Sequence, residues 1–287
     1  MLGRKQIIFE GEELSGLQLL VQTYAEVAAS RMQRIRQSVL VNRDYMNEVD
    51  EVFNDVRSSF KALIEAIARK QRKDPSQLVF LKRNGKTVHV FISANIGLYG
   101  DIVKRSFDLF TASAKKVEGE VAIVGKVGQR MYQESGLKLP MTYFDFSDDS
   151  VDLESLSKIT QYLIQYEKVL VYFGRFDNVV IQTPTTADIS GTEDTSPVET
   201  AGEQYLFEPT LEEIMKFFET EIFASLLTQT VQESQLAKFA SRMIYLDGAT
   251  QRIKQRLTNL ELYKVRFRHR QMNSKQLGAI AGMSLWR

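Results

Sequence analysis

Apolar residues recur at alternating steps of three and four at both ends of the chain, with mostly polar residues between them. Toward the C-terminus the positions are Leu236, Phe239, Met243, Leu246, Thr250, Ile253, Leu257, Leu260, Lys264, Phe267 and Gln271, the spacing of a heptad seam. No proline interrupts the stretch from Leu236 to Arg287, and an unbroken helix there would run roughly 75 Å. Toward the N-terminus the same spacing begins at Leu14, Leu17, Val21, Tyr24 and Ala28 and continues through Met32, Ile35, Val39, Asn42, Met46, Val49, Phe53, Val56, Phe60, Leu63 and Ile67. Two successive steps of four, Tyr24 to Ala28 to Met32, predict a stutter in the small-residue stretch Val27-Ala28-Ala29-Ser30. Asn42 is a polar intruder of the kind that fixes register. An apolar stripe on a rod needs a cover, so the two ends are expected to pair antiparallel as residues 1–74 and 209–287. The alternative is two unrelated helices packed on one globular core.

Between the ends the period changes. Lys70-Gln71-Arg72-Lys73-Asp74-Pro75 should end the first helix. Val79 to Leu81, a tight turn at Asn84-Gly85 and Val88 to Ile92 predict a hairpin. A helix over Asp101–Lys116, a strand at Val121–Val124, a short helix near Gln129–Ser135, a strand at Thr142–Phe146, a helix at Asp152–Gln165 and a strand at Lys168–Phe173 follow. This alternation argues for a Rossmann-like α/β domain over 75–208, with a mostly parallel sheet and helices on both faces. Gly174 to Asn178 reads as a turn into an antiparallel edge strand at Val179-Val180-Ile181. Thr183 to Gly202, rich in Thr, Ser, Asp, Glu and Gly, reads as a flexible loop, about 184–203. Thr210 is then a plausible cap for the last helix, with Glu212 and Glu213 in its first turn.

Composition narrows the function classes. With no cysteine, disulfides, thiolate catalysis and sulfur-ligated metal sites are excluded, and with only His89 and His269 a multi-histidine metal site is not expected. No run of 18 apolar residues is present and the first 13 residues lack a signal peptide's apolar region, so a cytoplasmic location is expected. The net charge of +1 conceals an asymmetry. From Arg242 to Arg287 the chain carries ten Lys and Arg against Asp247 and Glu261, while Asp145 to Glu221 is dominated by acids. Arg31, Arg34, Arg36 and Arg43 make part of the first helix basic too. A basic rod can track nucleic-acid phosphates, present a solvated face, or sit within acidic protein surroundings.

A nucleotide site is the natural question for such a sheet. Ser93 to Gly100 lies between a strand and a helix but lacks G-x-G-x-x-G, and Gly125-Lys126-Val127-Gly128 lacks the Ser or Thr and the earlier glycine of a P-loop. Tight turns account for these glycines. No nucleophile, histidine and acid are grouped as a triad.

Five blocks, in order, resemble the gamma subunit of F-type ATP synthases. Val27-Ala28-Ala29-Ser30-Arg31-Met32 is similar to the family's Val-Ala-Ala-Ser-Lys-Leu. Ser93 to Gly100 is similar to its Thr-Ser-Asp-Arg-Gly-Leu-Cys-Gly loop, and Tyr172, Phe176, Asn178, Gln182 and Pro184 match its hairpin. Tyr205-Leu206-Phe207-Glu208-Pro209 matches the opening of the last helix, and Arg242-Met243 with Leu246, Ala249 and Thr250 matches Arg-Met-x-x-Met-x-x-Ala-Thr. Asn95, Ile96 and Tyr99 stand where the family has Asp, Arg and Cys. The ends of the chain and the loop near 188–202 also depart from it, which marks a divergent member.

The resemblance implies a noncatalytic rotor shaft, without cofactor or metal, that carries torque between a membrane c-ring and a catalytic ring of alpha and beta subunits. It also implies a peripheral position on the cytoplasmic face of the energy-coupling membrane. The partner surface implied for the alpha and beta subunits comprises Arg31, Arg34, Arg266, Arg268, His269, Arg270, Asn273, Ser274, Leu277, Ile280, Met283, Leu285 and Trp286. Asn95, Tyr99, Tyr205 and Glu208 are implied to face the epsilon subunit and the c-ring. Other readings stay open at this point: a gamma-like shaft of a specialised F-type-related ATPase, a basic coiled-coil scaffold or nucleic-acid-binding protein, and a small-molecule-binding α/β enzyme.

Overall fold

The computed structural model describes residues 4–59, 81, 83–190, 208, 210 and 211–284. By its contacts the chain divides into two compact units, one comprising the chain up to Ala29 and from Arg242 onward, the other Ser30–Ser241. The domain boundaries expected near 74 and 208 fall on or beside residues outside this description. So do the first two residues of the expected strand at Val79 to Leu81, the end of the first helix and most of the loop at 184–203.

The elements are α1 (Arg4–Ser59), β1 (Thr87–Ile92), α2 (Ile102–Ala114), β2 (Glu120–Val124), α3 (Lys126–Glu134), β3 (Met141–Phe144), α4 (Leu153–Leu163), β4 (Lys168–Phe176), β5 (Gln182–Asp188) and α5 (Leu211–Ser284).

In the first unit, the N-terminal part of α1 and the distal part of α5 pair antiparallel. Ile7 lies beside Phe267 and Gln271, and the Arg256 guanidinium donates from Nε to Glu10 at 2.7 Å. Leu246, Thr250, Ile253 and Leu260 are buried on the seam as the spacing requires.

The stutter is not there. The inward positions of α1 are Ile7, Gly11, Leu14, Gln18, Val21, Ala25 and Ala28, then Met32, Ile35, Val39, Asn42, Met46, Val49, Phe53 and Val56, an unbroken alternation of four and three. Leu17 and Tyr24 point outward, 47% and 54% exposed. Large apolar residues at exposed positions masked a seam that Gln18 and Ala25 complete.

In the second unit the remaining parts of the two helices also run antiparallel. Ser38 accepts from Gln232 at 3.0 Å, Tyr45 donates to Glu221 at 3.1 Å, and Phe53 packs on Phe218 with ring centroids 5.6 Å apart. Asn42, the polar intruder, reaches the Ser225 carbonyl at 3.5 Å.

The sheet of this unit has the order β3-β2-β1-β4-β5, with the first four strands parallel and β5 antiparallel to β4. Strand residues alternate between two faces. Val88, Val90 and Ile92 pack with Leu156, Ile159 and Leu163 of α4 and with Phe223, Leu227 and Val231 of α5. Phe91, Val121, Ile123 and Tyr172 pack with Phe107 and Phe110 of α2 and Tyr132 of α3. Burial on both faces is why these strands read as continuous apolar runs.

Asp152 caps α4, its carboxylate accepting from the Ser155 amide at 3.1 Å. The Thr210 hydroxyl accepts from Glu213 N at 3.4 Å at the start of α5, as expected.

The edge strand is displaced from its expected place. Val179, Val180 and Ile181 form the exposed bend of the hairpin, and the strand starts at Gln182 and includes Thr183 to Asp188, which the sequence assigned to the loop. The bend is set by Asn178, whose side-chain oxygen accepts from Val180 N and Ile181 N at 2.8 and 2.9 Å. Gln182 braces it by donating to the Asn178 and Val179 carbonyls. An edge strand tolerates threonines and Pro184, because one of its sides needs no ladder donor.

Candidate partner-binding surfaces

In doubly wound sheets ligands bind in the crevice beyond the carboxyl ends of the strands. Here the loop that follows β1 is occupied from within the same unit. Lys238 of α5 is 5% exposed, and its ammonium donates to the Ser93 carbonyl at 2.7 Å. It also lies 3.5 Å from the Asp148 carboxylate and 5.8 Å from the centroid of the Tyr99 ring. The other oxygen of Asp148 accepts from the amides of Asn95 and Ile96 at 2.8 and 2.9 Å. Asn95 holds the next loop: its amide donates to Asp145 at 2.7 Å and to the Phe146 carbonyl, and its oxygen accepts from Lys126 N.

Close backbone approach makes this arrangement feasible. Gly100 sits at φ +62° with the Ser241 hydroxyl 2.5 Å from where a Cβ would be, so only glycine fits there without displacement. Gly125, at φ +100°, turns β2 into α3 against the Ala94 backbone.

Of the residues expected on the epsilon and c-ring side, Asn95 is half-buried in this network. Tyr99 is 3% exposed and meets Phe239 edge-on at 5.9 Å, so its ring serves the interior of the unit. Glu208 is exposed, and Tyr205 lies outside the described residues. Arg31, expected on the alpha and beta side, forms an ion pair with Asp149 and lies 6.0 Å from the Phe239 ring centroid. Arg34 is exposed. The sequence pointed to Asn95 and Tyr99 through the resemblance, but Lys238, Asp148 and Asp149 carried no motif. A lysine set among Leu236, Ala237, Phe239 and Ala240 was the available signal.

The distal part of α5 has the opposite character. From Arg268 to Met283 every position is exposed. Residues spaced by four and three share a helix face. That spacing places Arg266, Arg270, Asn273, Leu277 and Ile280 on one stripe, with guanidinium groups giving way to an amide and then to aliphatic side chains. His269 and Met283 flank this stripe, while Arg268 lies on the far side. Beside Ile7 a cavity of about 650 Å3 is lined by Tyr263, Arg266, Phe267, Arg270, Gln271 and Ser274. It joins the aromatic rings of Tyr263 and Phe267 to two exposed guanidinium groups, a combination suited to an acidic segment with an apolar neighbour. Leu285 and Trp286 lie outside the described residues.

His89, the one histidine within the sheet, is fully buried and takes no part in either surface. Its Nε2 donates to the Val117 carbonyl at 3.1 Å, and its Nδ1 lies 2.9 Å from the Tyr172 hydroxyl, itself 2.6 Å from Ser113. Burial holds its pKa below the ordinary histidine value, against the opposing effect of the Val117 hydrogen bond. Among the described residues no three His, Asp or Glu side chains come together as a metal site. No described helix is long and apolar enough to cross a membrane.

The crevice beyond β1 is thus filled by the chain's own Lys238, and the side chains described from Arg268 to Met283 are exposed. A family model described as ATP synthase matches residues 12–281, and the chain belongs to that family. Similar curated proteins include the ATP synthase gamma chain of Mesoplasma florum, 24% identical over 246 residues and covering 82% of each chain. The ATP synthase gamma chain of Ruthia magnifica subsp. Calyptogena magnifica is 22% identical over 280 residues, 91% of this chain and 92% of that one. Among solved structures, the central stalk and c-ring of the Tetrahymena thermophila mitochondrial ATP synthase include a chain with TM-score 0.56 at 18% identity, covering 80% of this chain and 99% of that one. The rotor of the Euglena gracilis mitochondrial ATP synthase in rotational state 1 gives TM-score 0.54 at 14% identity, covering 94% and 100%. The expected fold class, paired terminal helices with a mostly parallel α/β sheet, is thereby shared with these proteins.

Proposed function

We propose that the chain is the noncatalytic central-stalk rotor of an F-type ATP synthase. It transmits torque between a membrane c-ring and a catalytic ring of alpha and beta subunits, with the epsilon subunit bound to it. The work is done by shape: an asymmetric rod turning inside the ring favours a different state of each catalytic subunit at each angle, so rotation changes nucleotide affinity in sequence.

The observation that carries this reading is the exposed distal stretch of α5, with Arg266, Arg270, Asn273, Leu277 and Ile280 in one stripe on a helix stiffened by heptad pairing. Its upper aliphatic part suits an apolar sleeve, and its arginines suit acidic loops. The chain is then peripheral to the membrane and held there through its partners.

Truncation after Lys264 tests the role. The α/β unit should keep its near-ultraviolet signature, since none of its residues is removed, while ATP-driven ion pumping by the assembled complex should fall. Pumping at the full-length rate would overturn the assignment.

A further inference from the structure

We propose that the contacts around Ser147-Asp148-Asp149 form the joint through which twist passes between the α/β sheet and the long helices, an inference that rests on the rotor reading. Each of these three consecutive residues is held by a side chain from a long helix. Gln235 of α5 donates to the Ser147 carbonyl at 3.3 Å, Lys238 of α5 lies 3.5 Å from Asp148, and Arg31 of α1 pairs with Asp149. All belong to the unit spanning Ser30–Ser241.

Two features separate this joint from ordinary packing. First, Lys238 and Asp148 have side chains only 6% and 3% exposed. Apolar residues of similar volume commonly serve stability as well as a buried ion pair does, so a charged pair here calls for a reason other than stability. Second, the pair is directional. Aliphatic surfaces slide past one another at little cost, whereas displacing α5 sideways would stretch the Lys238 contacts to Ser93 and Asp148 together. The same movement would disturb the amides of Asn95 and Ile96, which share the Asp148 carboxylate. The loop after β1 and the loop after β3 are thereby fastened to one point on α5, where a torsional load meets charge-assisted hydrogen bonds rather than a slippery face.

The test uses the double variant Lys238→Met/Asp148→Asn in the full chain, because the single lysine change would strand a buried carboxylate. Backbone hydrogen exchange at Asn95 and Ile96 should quicken by at least about tenfold in the double variant as these loops open locally. In the assembled complex ATP hydrolysis should stay within about twofold, while ions pumped per ATP should fall by about threefold or more, within the range by which residues on a coupling path act. Unchanged exchange would remove the joint itself. Faster exchange with unchanged pumping per ATP would reduce it to a structural brace and overturn the proposal. A wild-type complex that assembles with this chain yet pumps nothing on ATP would overturn the rotor reading and the joint with it, a result distinct from a loss confined to the variant.

Discussion

One helix, α5, holds two stretches that invert each other's chemistry. Between Phe223 and Arg242 it is largely buried around its circumference, and its polar residues Ser225, Thr230, Gln232, Ser234, Gln235 and Lys238 are inside. Between Arg268 and Met283 it is exposed on every side, and Leu277, Ile280 and Met283 are 59–68% exposed. Mean hydropathy separates the two stretches only modestly, and residue by residue it misplaces Gln235 and Lys238, which are inside, and Leu277 and Ile280, which are outside. The difference teaches that burial on a long helix is decided by what the fold brings to it. Polar side chains are admitted where hydrogen-bond partners converge, while Leu277, Ile280 and Met283 stay exposed on the surface proposed above for the catalytic ring.

The contrast breaks most sharply at Phe239, fully buried between Tyr99 and Arg31. Phe239→Ala should cost about 3–5 kcal/mol by denaturant unfolding, through lost burial and the cavity left behind. A cost near zero would mean that this stretch is not clasped as described.

His89 sharpens the picture of the sheathed unit. Its folded pKa lies below the unfolded value of 6.5, so the neutral imidazole contributes stability that is fully present above pH 6.5. That contribution declines as pH falls toward the folded value. The slope is at most about 1.4 kcal/mol per pH unit for one proton. His89→Gln should therefore flatten the stability profile on the acid side, measured as unfolding free energy between pH 7 and pH 5, and an unchanged profile would exclude His89 as its source.

The smallest effect belongs to the bare stretch. Leu277→Ala in the isolated chain should change stability by less than about 0.5 kcal/mol, as surface substitutions do. The same change should weaken retention of the chain by the catalytic ring, read as dissociation rate from the assembled complex. A large loss of stability without the ring would show that this stretch has a cover within its own chain.

Much of this contrast was legible beforehand, and its gaps have physical causes. The seam from Leu246 to Leu260 is periodic enough to be read directly, and the strands Val88–Ile92 and Val121–Val124 stand out as short continuous apolar runs. The stutter at Ala28 was misread because Leu17 and Tyr24 outweigh Gln18 and Ala25 in hydrophobicity, though not in burial. The strand Gln182–Asp188 was hidden because an edge position keeps threonine, aspartate and proline. The Lys238–Asp148 contact joins residues 90 positions apart, and no local pattern marks such a pair.

The uninterrupted seam of α1 from Ile7 to Val56 also limits how this arm can change in length. Adding or deleting one residue turns everything beyond it by about 100° and carries the inward side chains to the solvent face. Seven residues restore the phase. Variation in the span of this arm should therefore come in sevens, each adding or removing about 10 Å, as if its size were counted in whole links.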